Sequence, residues 1–319
     1  MFTRNVLFFS MLLAIINCSF DKIPREGLEM QAFDKLWDYS DPAATEIKFR
    51  EYLADSSAGL TQSDKLELRS QIARTLGLQQ KFDEAHQVLD KIEAELIPEF
   101  QIAFLRYLLE RGRVFNSAGL QAESIPLFLN AWELGREIGA DFFAVDAAHM
   151  LGIAETPTKQ LEWNEKAMDL AETSADSRAN GWLGSLYNNI GWTHHDSGEY
   201  EKALELFQKG LEWQVSNARV TETQIAKWTV ARTQRSLGNI DLALNLQKEL
   251  AHEILESGNP EDGYVSEEIA ECLTLKGQPK EAAPHFQKAW RLLSQDSWLQ
   301  KNEAKRLSRL KDLGERSAE

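Results

Sequence analysis

Residues 187–211 read YNNIGWTHHDSGEYEKALELFQKGL, and this stretch decides the fold. In its second half, small or apolar residues recur at i, i+3, i+4, i+7 and i+8, the spacing of one face of an α-helix. Gly198 lies between this helical segment and an earlier one that contains Gly191, and glycine is a common turn residue. The stretch therefore predicts two helices joined by a turn.

The same pattern returns along the chain at steps of 36 to 43 residues. The position equivalent to Ala203 holds a small residue in six of the seven units. The position equivalent to Phe207 holds an apolar residue in five of the seven. A register sustained over residues 26–296 indicates a repeat array. The residues at the position of Gly191 in the seven successive units are Phe33, Ala73, Gly112, Ala148, Gly191, Ala231 and Ala270.

These units resemble the tetratricopeptide repeat (TPR), although their period exceeds the 34 residues usual in that family. His194 and Tyr187 stand where the family usually has Tyr and Trp. The resemblance implies that small residues lie where the two helices of a repeat cross, and that a larger residue fills the layer towards the next repeat. The implied fold is all-α, a right-handed α-solenoid of about seven helix-turn-helix repeats.

The register divides the chain into a predicted leader, a linker, an array and a cap. The first repeat has Phe33 where a small residue is expected, and the fourth has Gln160 and Asn164 in core positions. Asp296 is the expected N-cap of a capping helix with an apolar face of Trp298, Leu299, Leu307 and Leu310. The predicted ranges are a signal peptide at 1–17, a linker at 18–25, repeats near 26–59, 66–99, 105–138, 141–174, 184–217, 224–257 and 263–296, and a capping helix and tail at 297–319.

The first residues resemble an export signal. Arg4 precedes an apolar run at residues 6–16, which has the length of a signal-peptide core and is too short to span a bilayer. With Cys18 as the first mature residue, the segment resembles a relaxed bacterial lipobox, although Asn17 replaces the usual Gly or Ala. We therefore expect lipidation of Cys18 and a lipid-anchored location in a bacterial cell envelope. The alternatives are ordinary secretion, an uncleaved anchor, or a cytoplasmic protein that starts at Met30.

Composition and motifs exclude several classes of function. The chain carries 35 Lys and Arg against 50 Asp and Glu, and this net charge of −15 argues against nucleic acid as a partner. His252-Glu253 is followed by Glu256 instead of a second His, so the zinc-protease motif fails. His194 and His195 are adjacent on a helix and cannot both face one ion. We expect a non-enzymatic protein with no catalytic residue, no metal site and no cofactor.

The TPR resemblance places the candidate binding site on the concave face, which the first helix of each repeat lines. Arginine binds carboxylates through paired N–H groups, and exposed Trp is a common hot spot, so we expect an acidic or mixed protein or peptide segment as partner. One alternative is a structural wall in which Arg106, Glu110 and Arg113 pair with one another and the tryptophans pack between repeats. The other alternative is that a different surface of the protein binds the partner. The expected partner-binding residues are Arg74, Arg106, Arg113, Asn188, Trp192, His195, Trp228, Arg232 and Arg235.

The sequence therefore predicts a scaffold for protein–protein interaction that binds its partner in the groove and organises a cell-envelope complex. The alternative is a cytoplasmic TPR protein with a regulatory or sensor role.

Overall fold

The computed structural model describes residues 30–315, and in this range the chain forms helices and no strand. The all-α prediction is confirmed. The chain divides into two compact units, unit 1 up to Leu186 and unit 2 from Tyr187 onward. The predicted signal peptide at 1–17, Cys18 and the linker at 18–25 lie outside the described residues.

Unit 1 begins with a 3-10 turn at Ala32–Leu36 and continues as helices that each pack against the next along the chain. A second 3-10 turn at Ser56–Ala58 follows the first helix. The helices are α1 (Pro42–Ala54), α2 (Gln62–Leu78), α3 (Phe82–Glu93), α4 (Gln101–Ser117), α5 (Gln121–Ile138), α6 (Asp141–Ala154), α7 (Pro157–Thr173) and α8 (Ser177–Asn180).

Unit 2 has the same arrangement of long helices joined by short turns. From α10 to α14 each helix packs against the next, and the final helix packs against α14. The helices, the first of which starts four residues before Tyr187, are α9 (Leu183–Asp196), α10 (Tyr200–Ser216), α11 (Val220–Ser236), α12 (Ile240–Glu256), α13 (Gly263–Leu275), α14 (Pro279–Leu293), α15 (Ser297–Asn302) and α16 (Ala304–Glu315).

The two helices of a repeat approach closely where a glycine faces a phenylalanine. A Cβ atom at Gly112 of α4 would lie 2.5 Å from Cε1 of Phe128 on α5. A Cβ atom at Gly191 of α9 would lie 2.6 Å from Cε1 of Phe207 on α10. The seven residues that share the register of Gly191 are all buried. The small residue therefore sets the distance between the helices, and the aromatic ring fills the space that remains.

In the fourth repeat, the close contact between the two helices is displaced by one helical turn compared with the third repeat. Gly112 faces a residue 16 positions later, whereas Gly152 faces Asn164, only 12 positions later, and a Cβ atom at Gly152 would lie 2.6 Å from Oδ1 of Asn164. The connection between α6 and α7 is two residues long, against three between α4 and α5. The prediction that Gln160 fills a core position is wrong, because it is half-exposed and its Nε2 donates to the carbonyl oxygen of Glu155.

The first predicted repeat, near 26–59, lacks a full first helix in the described residues. Its place is taken by the 3-10 turn at Ala32–Leu36, after which the chain is extended at Trp37. Phe33 is nevertheless fully buried and contacts the ring of Tyr52 on α1 edge-on, at 6.5 Å between ring centroids. A bulky residue is accepted at this position because no regular helix has to approach α1 there.

The C-terminal cap is two helices, α15 and α16, instead of the single helix predicted. Asp296 is the N-cap of α15, and its Oδ1 accepts hydrogen bonds from the backbone N–H groups of residues 298 and 299. Leu307 and Leu310 are buried as predicted, as is Leu299. The prediction that Trp298 belongs to the apolar face is wrong, because this side chain is 60% exposed.

We expect Gly191→Ala to destabilise the protein and Gly210→Ala to leave it unchanged or slightly more stable. The new Cβ atom at Gly191 would overlap Phe207, at a cost of about 1–3 kcal/mol. At Gly210 the nearest atom, Cβ of Tyr187, lies at 3.4 Å, so the helix preference of Ala contributes up to about 1 kcal/mol. Denaturant unfolding measures both variants, and equal midpoints would contradict the packing described.

Candidate functional site

The nine predicted site residues belong to two sets, one in each unit. Arg74, Arg106 and Arg113 lie on α2 and α4 of unit 1. The other six lie on α9 and α11 of unit 2 and are Asn188, Trp192, His195, Trp228, Arg232 and Arg235. All four helices are the first helices of their repeats, as the TPR resemblance implied.

Arg106 is enclosed within unit 1 and is only 5% exposed. Its guanidinium donates two hydrogen bonds to Asp34, at 3.0 Å from Nη1 to Oδ1 and 2.5 Å from Nη2 to Oδ2. Its Nε lies 3.4 Å from Oε2 of Glu67, and the group stacks over the rings of Phe33 and Phe143. Arg106 is therefore not free for a partner in this structure, because carboxylates and aromatic rings of the chain itself surround it.

Arg113 and Arg74 are also neutralised within unit 1. Nη1 of Arg113 donates to Oε1 of Glu110 at 2.8 Å, and its Nη2 donates to Asp146. Nη1 of Arg74 lies 3.6 Å from the same oxygen of Glu110. The pairing of Arg113 with Glu110 was one alternative in the sequence, but the partners on other helices were not foreseen. These arginines therefore do not form an unpaired basic wall.

Arginine–carboxylate pairs link consecutive repeats in both units. In each pair, an arginine on the first helix of one repeat meets a carboxylate on the first helix of the next, 33 or 36 residues later in the chain. This spacing is the signal that the sequence offered and that a search within single helices misses. The pairs are Arg74–Glu110, Arg113–Asp146, Arg232–Glu268 and Arg235–Glu268.

The cluster in unit 1 holds one carboxylate more than it has arginines. Burial raises the pKa of Glu67 from 4.5 to about 7, with Asp64 and Asp34 adding to the shift and Arg106 opposing it. Glu67 therefore changes its charge near neutral pH. The carboxylates are Asp34, Glu67, Glu110 and Asp146, and the arginines are Arg74, Arg106 and Arg113.

In unit 2, two arginines share one carboxylate. Nε of Arg235 donates to Oε2 of Glu268 at 2.7 Å, and its Nη2 donates to Oε1 at 3.0 Å. Nε of Arg232 lies 3.0 Å from Oε1 of Glu268, and the Arg232 side chain remains 27% exposed. Glu268 thus faces two guanidinium groups, and Glu271 also acts on the charge of Arg235. Arg232 is the member that solvent can reach.

Three aromatic side chains form a row beside this group, which we call the aromatic row: Trp192, Trp228 and Tyr264. The ring centroids of Trp192 and Trp228 are 6.0 Å apart, and those of Trp228 and Tyr264 are 6.1 Å apart. Trp192 also packs edge-on against Phe207, at 5.2 Å. Both tryptophans are half-buried, and Tyr264 is 37% exposed. Tyr264 was missed in the sequence, although its distance of 36 residues from Trp228 repeats that of Trp228 from Trp192.

His195 packs against Trp192 of the aromatic row. It is only 8% exposed, and its ring lies 4.9 Å from that of Trp192, between centroids. Its Nε2 is 2.9 Å from Oγ of Ser236, and burial lowers its pKa below the ordinary 6.5, so the ring is neutral at pH 7. The prediction that His195 contacts a partner is wrong because the side chain is buried. Asn188 is half-buried on the same helix, and its Nδ2 donates to Oδ1 of Asn189 at 3.5 Å.

Between residues 30 and 315, no group of three or more His, Cys, Asp or Glu side chains is placed to hold a metal ion. The helices of this range include none with the length and hydrophobicity needed to cross a membrane. Cys272 is a buried thiol whose pKa is raised to about 11 by burial, so it is protonated at neutral pH.

We expect Glu67→Gln to stabilise the protein at pH 8 and to have little effect at pH 5. The pKa of Glu67 is higher in the folded state than in the unfolded state, so its contribution to stability is complete below about pH 4.5 and is lost as the pH rises through 7. The difference between variant and wild type at pH 8 is on the order of 1–3 kcal/mol.

Denaturant unfolding of both proteins at the two pH values measures this effect. Glu205→Gln, which alters an exposed surface pair with Lys209, is the control and should behave as wild type at both. A Glu67→Gln variant that tracks wild type at pH 8 would contradict the assigned titration.

Comparison with known proteins supports the fold. The sequence profile of the tetratricopeptide repeat matches residues 184–215. No curated protein matches the chain significantly. A solved structure of a signal transduction ATPase with numerous domains (STAND), which has a tetratricopeptide repeat sensor and comes from Pyrococcus horikoshii, is similar with a TM-score of 0.66 and 17% identity. That match covers 88% of this chain and 44% of the other, so this chain spans less than half of that relative.

Two further structures are similar over most of this chain. The apo form of RapI has a TM-score of 0.65 and 12% identity, and the match covers 83% of this chain and 76% of RapI. The Cut9–Hcn1 hetero-tetramer of APC/C has a TM-score of 0.53 and 16% identity, with 90% and 48% covered. Residues 184–215 are thus a tetratricopeptide repeat by sequence, and the chain has the fold of a TPR-type helical solenoid.

Proposed function

We propose that this chain is a non-enzymatic scaffold for protein–protein interaction, and that the inner face of unit 2 binds an acidic segment of a partner protein. The observation that carries the proposal is the aromatic row beside Arg232, an arginine that shares its carboxylate with Arg235. Trp228 and Arg232 are four residues apart on α11 and therefore lie on one face of that helix.

The two parts of this surface supply different contributions to binding. Half-exposed Trp and Tyr rings offer a large apolar area at little cost in side-chain entropy, which is why they dominate binding energies at interfaces. Arg232 keeps N–H groups that Glu268 does not use, and a guanidinium fork fits a carboxylate. A segment with Asp or Glu beside apolar residues satisfies both parts.

The remaining predicted residues have different roles in this proposal. Arg235 holds Glu268 with two hydrogen bonds and so positions the carboxylate that orients Arg232. Asn188 can donate to a partner's backbone from α9. Arg74, Arg106 and Arg113 are not part of this surface in unit 2, because they lie in unit 1 and their charges are paired there.

We expect peptides selected from a random library on the intact chain to combine Asp or Glu with apolar residues. Trp192→Ala and Trp228→Ala should each weaken binding about tenfold or more, as substitutions at interface hot spots do. Arg232→Glu should weaken it further, because it places a negative charge against an acidic peptide. Fluorescence anisotropy with labelled peptides measures the dissociation constants.

The matched control is Trp298→Ala, which removes a 60% exposed tryptophan of the same unit outside the aromatic row. It should bind the peptides as wild type does. Equal binding by wild type, Trp192→Ala, Trp228→Ala and Arg232→Glu would refute the proposed surface.

We further propose that the protein is anchored in a bacterial cell envelope through a lipid on Cys18 and organises a complex there. The support is the apolar run at residues 6–16 that ends near Cys18, which lies outside the described residues. The alternative is a cytoplasmic regulatory or sensor protein. It draws on the STAND relative, whose repeat region is described as a sensor.

Mass spectrometry of the N-terminus of the protein from its native cells, with membrane fractionation, separates these locations. A lipid-modified Cys18 in the membrane fraction is the expected result, because several acyl chains together hold a protein firmly on a bilayer. A soluble species that begins at Met1 or Met30 would refute the anchor and favour the cytoplasmic alternative.

A further inference from the structure

Residues 31–39, which we call the strap, contact α2 and α4 and form a 3-10 turn followed by extended backbone instead of an α-helix. The strap contains the 3-10 turn at Ala32–Leu36 and is extended at Trp37. Its side chains contact residues of α2 and α4, the first helices of their repeats, which line the binding face in TPR-type proteins. It therefore resembles a bound peptide more than the first helix of a repeat.

Polar side chains hold the strap at its start and its middle. Nε2 of Gln31 donates to Oδ1 of Asp64 on α2 at 3.1 Å. Asp34 accepts two hydrogen bonds from Arg106 on α4. Phe33 lies beside the same guanidinium and is fully buried.

Aromatic contacts hold the end of the strap. Nε1 of Trp37 donates to Oε1 of Gln71 on α2 at 3.2 Å. The rings of Trp37 and Tyr39 are stacked at 4.6 Å between centroids, and the guanidinium of Arg74 lies 5.5 Å and 5.3 Å from them. The hydrogen bonds that join the described strap to α2 and α4 are all between side chains. On α1, Thr45 accepts from the backbone N–H of Asp38 and donates to its carbonyl oxygen. The contacts of the strap with α2 and α4 thus depend on a short pattern of side chains that another segment can present.

Within the arginine–carboxylate cluster defined above, the charges balance when Asp34 of the strap is left out. Three carboxylates on α2, α4 and α6 then face three arginines, and Asp34 of the strap is the carboxylate in excess. The groups that face Glu67 are Arg106 on α4, Asp34 on the strap and Asp64 on its own helix. Seating a negatively charged strap beside Glu67 therefore favours a proton on that side chain, and ionised Glu67 repels Asp34.

We propose that the inner face of unit 1 is a second binding surface. The strap occupies this surface in the free protein and leaves it when a partner segment binds. That segment carries an aromatic residue, an acidic residue and, three positions after the acidic residue, a tryptophan. In the strap these are Phe33, Asp34 and Trp37. The partner's aromatic residue replaces Phe33, so that the apolar space does not become a cavity. This surface is independent of the aromatic row of unit 2.

The test uses a labelled synthetic peptide of residues 30–41, added to the full-length chain. The variant Asp34→Asn/Trp37→Ala weakens the resident strap and leaves α2 and α4 unaltered. We expect this variant to bind the peptide at least tenfold more tightly than wild type does. A peptide that carries the same two substitutions should not bind, and binding of the unaltered peptide should be tighter at pH 6 than at pH 8. Equal affinity of wild type and variant, or no binding by either, would overturn the proposal.

Hydrogen exchange of the wild-type chain supplies a second measurement in case the variant folds poorly. The backbone N–H of Trp37 is bonded to the carbonyl of Asp34, within the strap. We expect this amide to exchange by local opening, at least tenfold faster than the central amides of α2 and α4. Exchange of the strap at the rate of those helices would show that it is a fixed part of unit 1 and would overturn the proposal. Neither result depends on Trp192 or Trp228.

Discussion

The buried pairing of arginine with carboxylate between consecutive repeats is the interaction on which both inner faces depend. Burying a charge without its partner is strongly unfavourable, and removal of one member of such a pair typically costs about 3–5 kcal/mol. Arg113 with Asp146 and Arg235 with Glu268 therefore fix which helices are neighbours and how far they are displaced along their axes. Apolar contacts such as Gly191 with Phe207 set the spacing within a repeat, and the charge pairs set the stacking between repeats.

This pairing also explains why the two inner faces differ. In unit 1 every arginine of the face has a carboxylate, and Asp34 brings one more from the strap, so the face is closed and titrates near neutral pH. In unit 2 one carboxylate serves two arginines, and the neighbouring surface is a row of half-exposed rings. The two faces thus differ in their balance of charge and in the exposure of their aromatic rings.

The fold could be predicted because small and large residues alternate at fixed distances, and this pattern reports directly on helix crossing, as at Gly191 and Phe207. The one-turn slip of the fourth repeat could not be predicted, because the length of the turn before α7 is set by packing and leaves no residue signature. Of the expected site residues, Trp192 and Trp228 lie half-buried on the first helices of their repeats, whereas Arg106 and His195 are buried. Their partners come from helices that are distant in sequence, which a search along single helices does not reveal.

The central claim is that a partner binds on the aromatic row of unit 2. Its most direct test is nuclear magnetic resonance of the indole N–H groups, which distinguishes the nine tryptophans of the chain during titration with a selected acidic peptide. The account predicts that the resonances of Trp192 and Trp228 shift with the peptide concentration, while those of Trp132 and Trp298 stay in place. Shifts confined to tryptophans outside the aromatic row would contradict it.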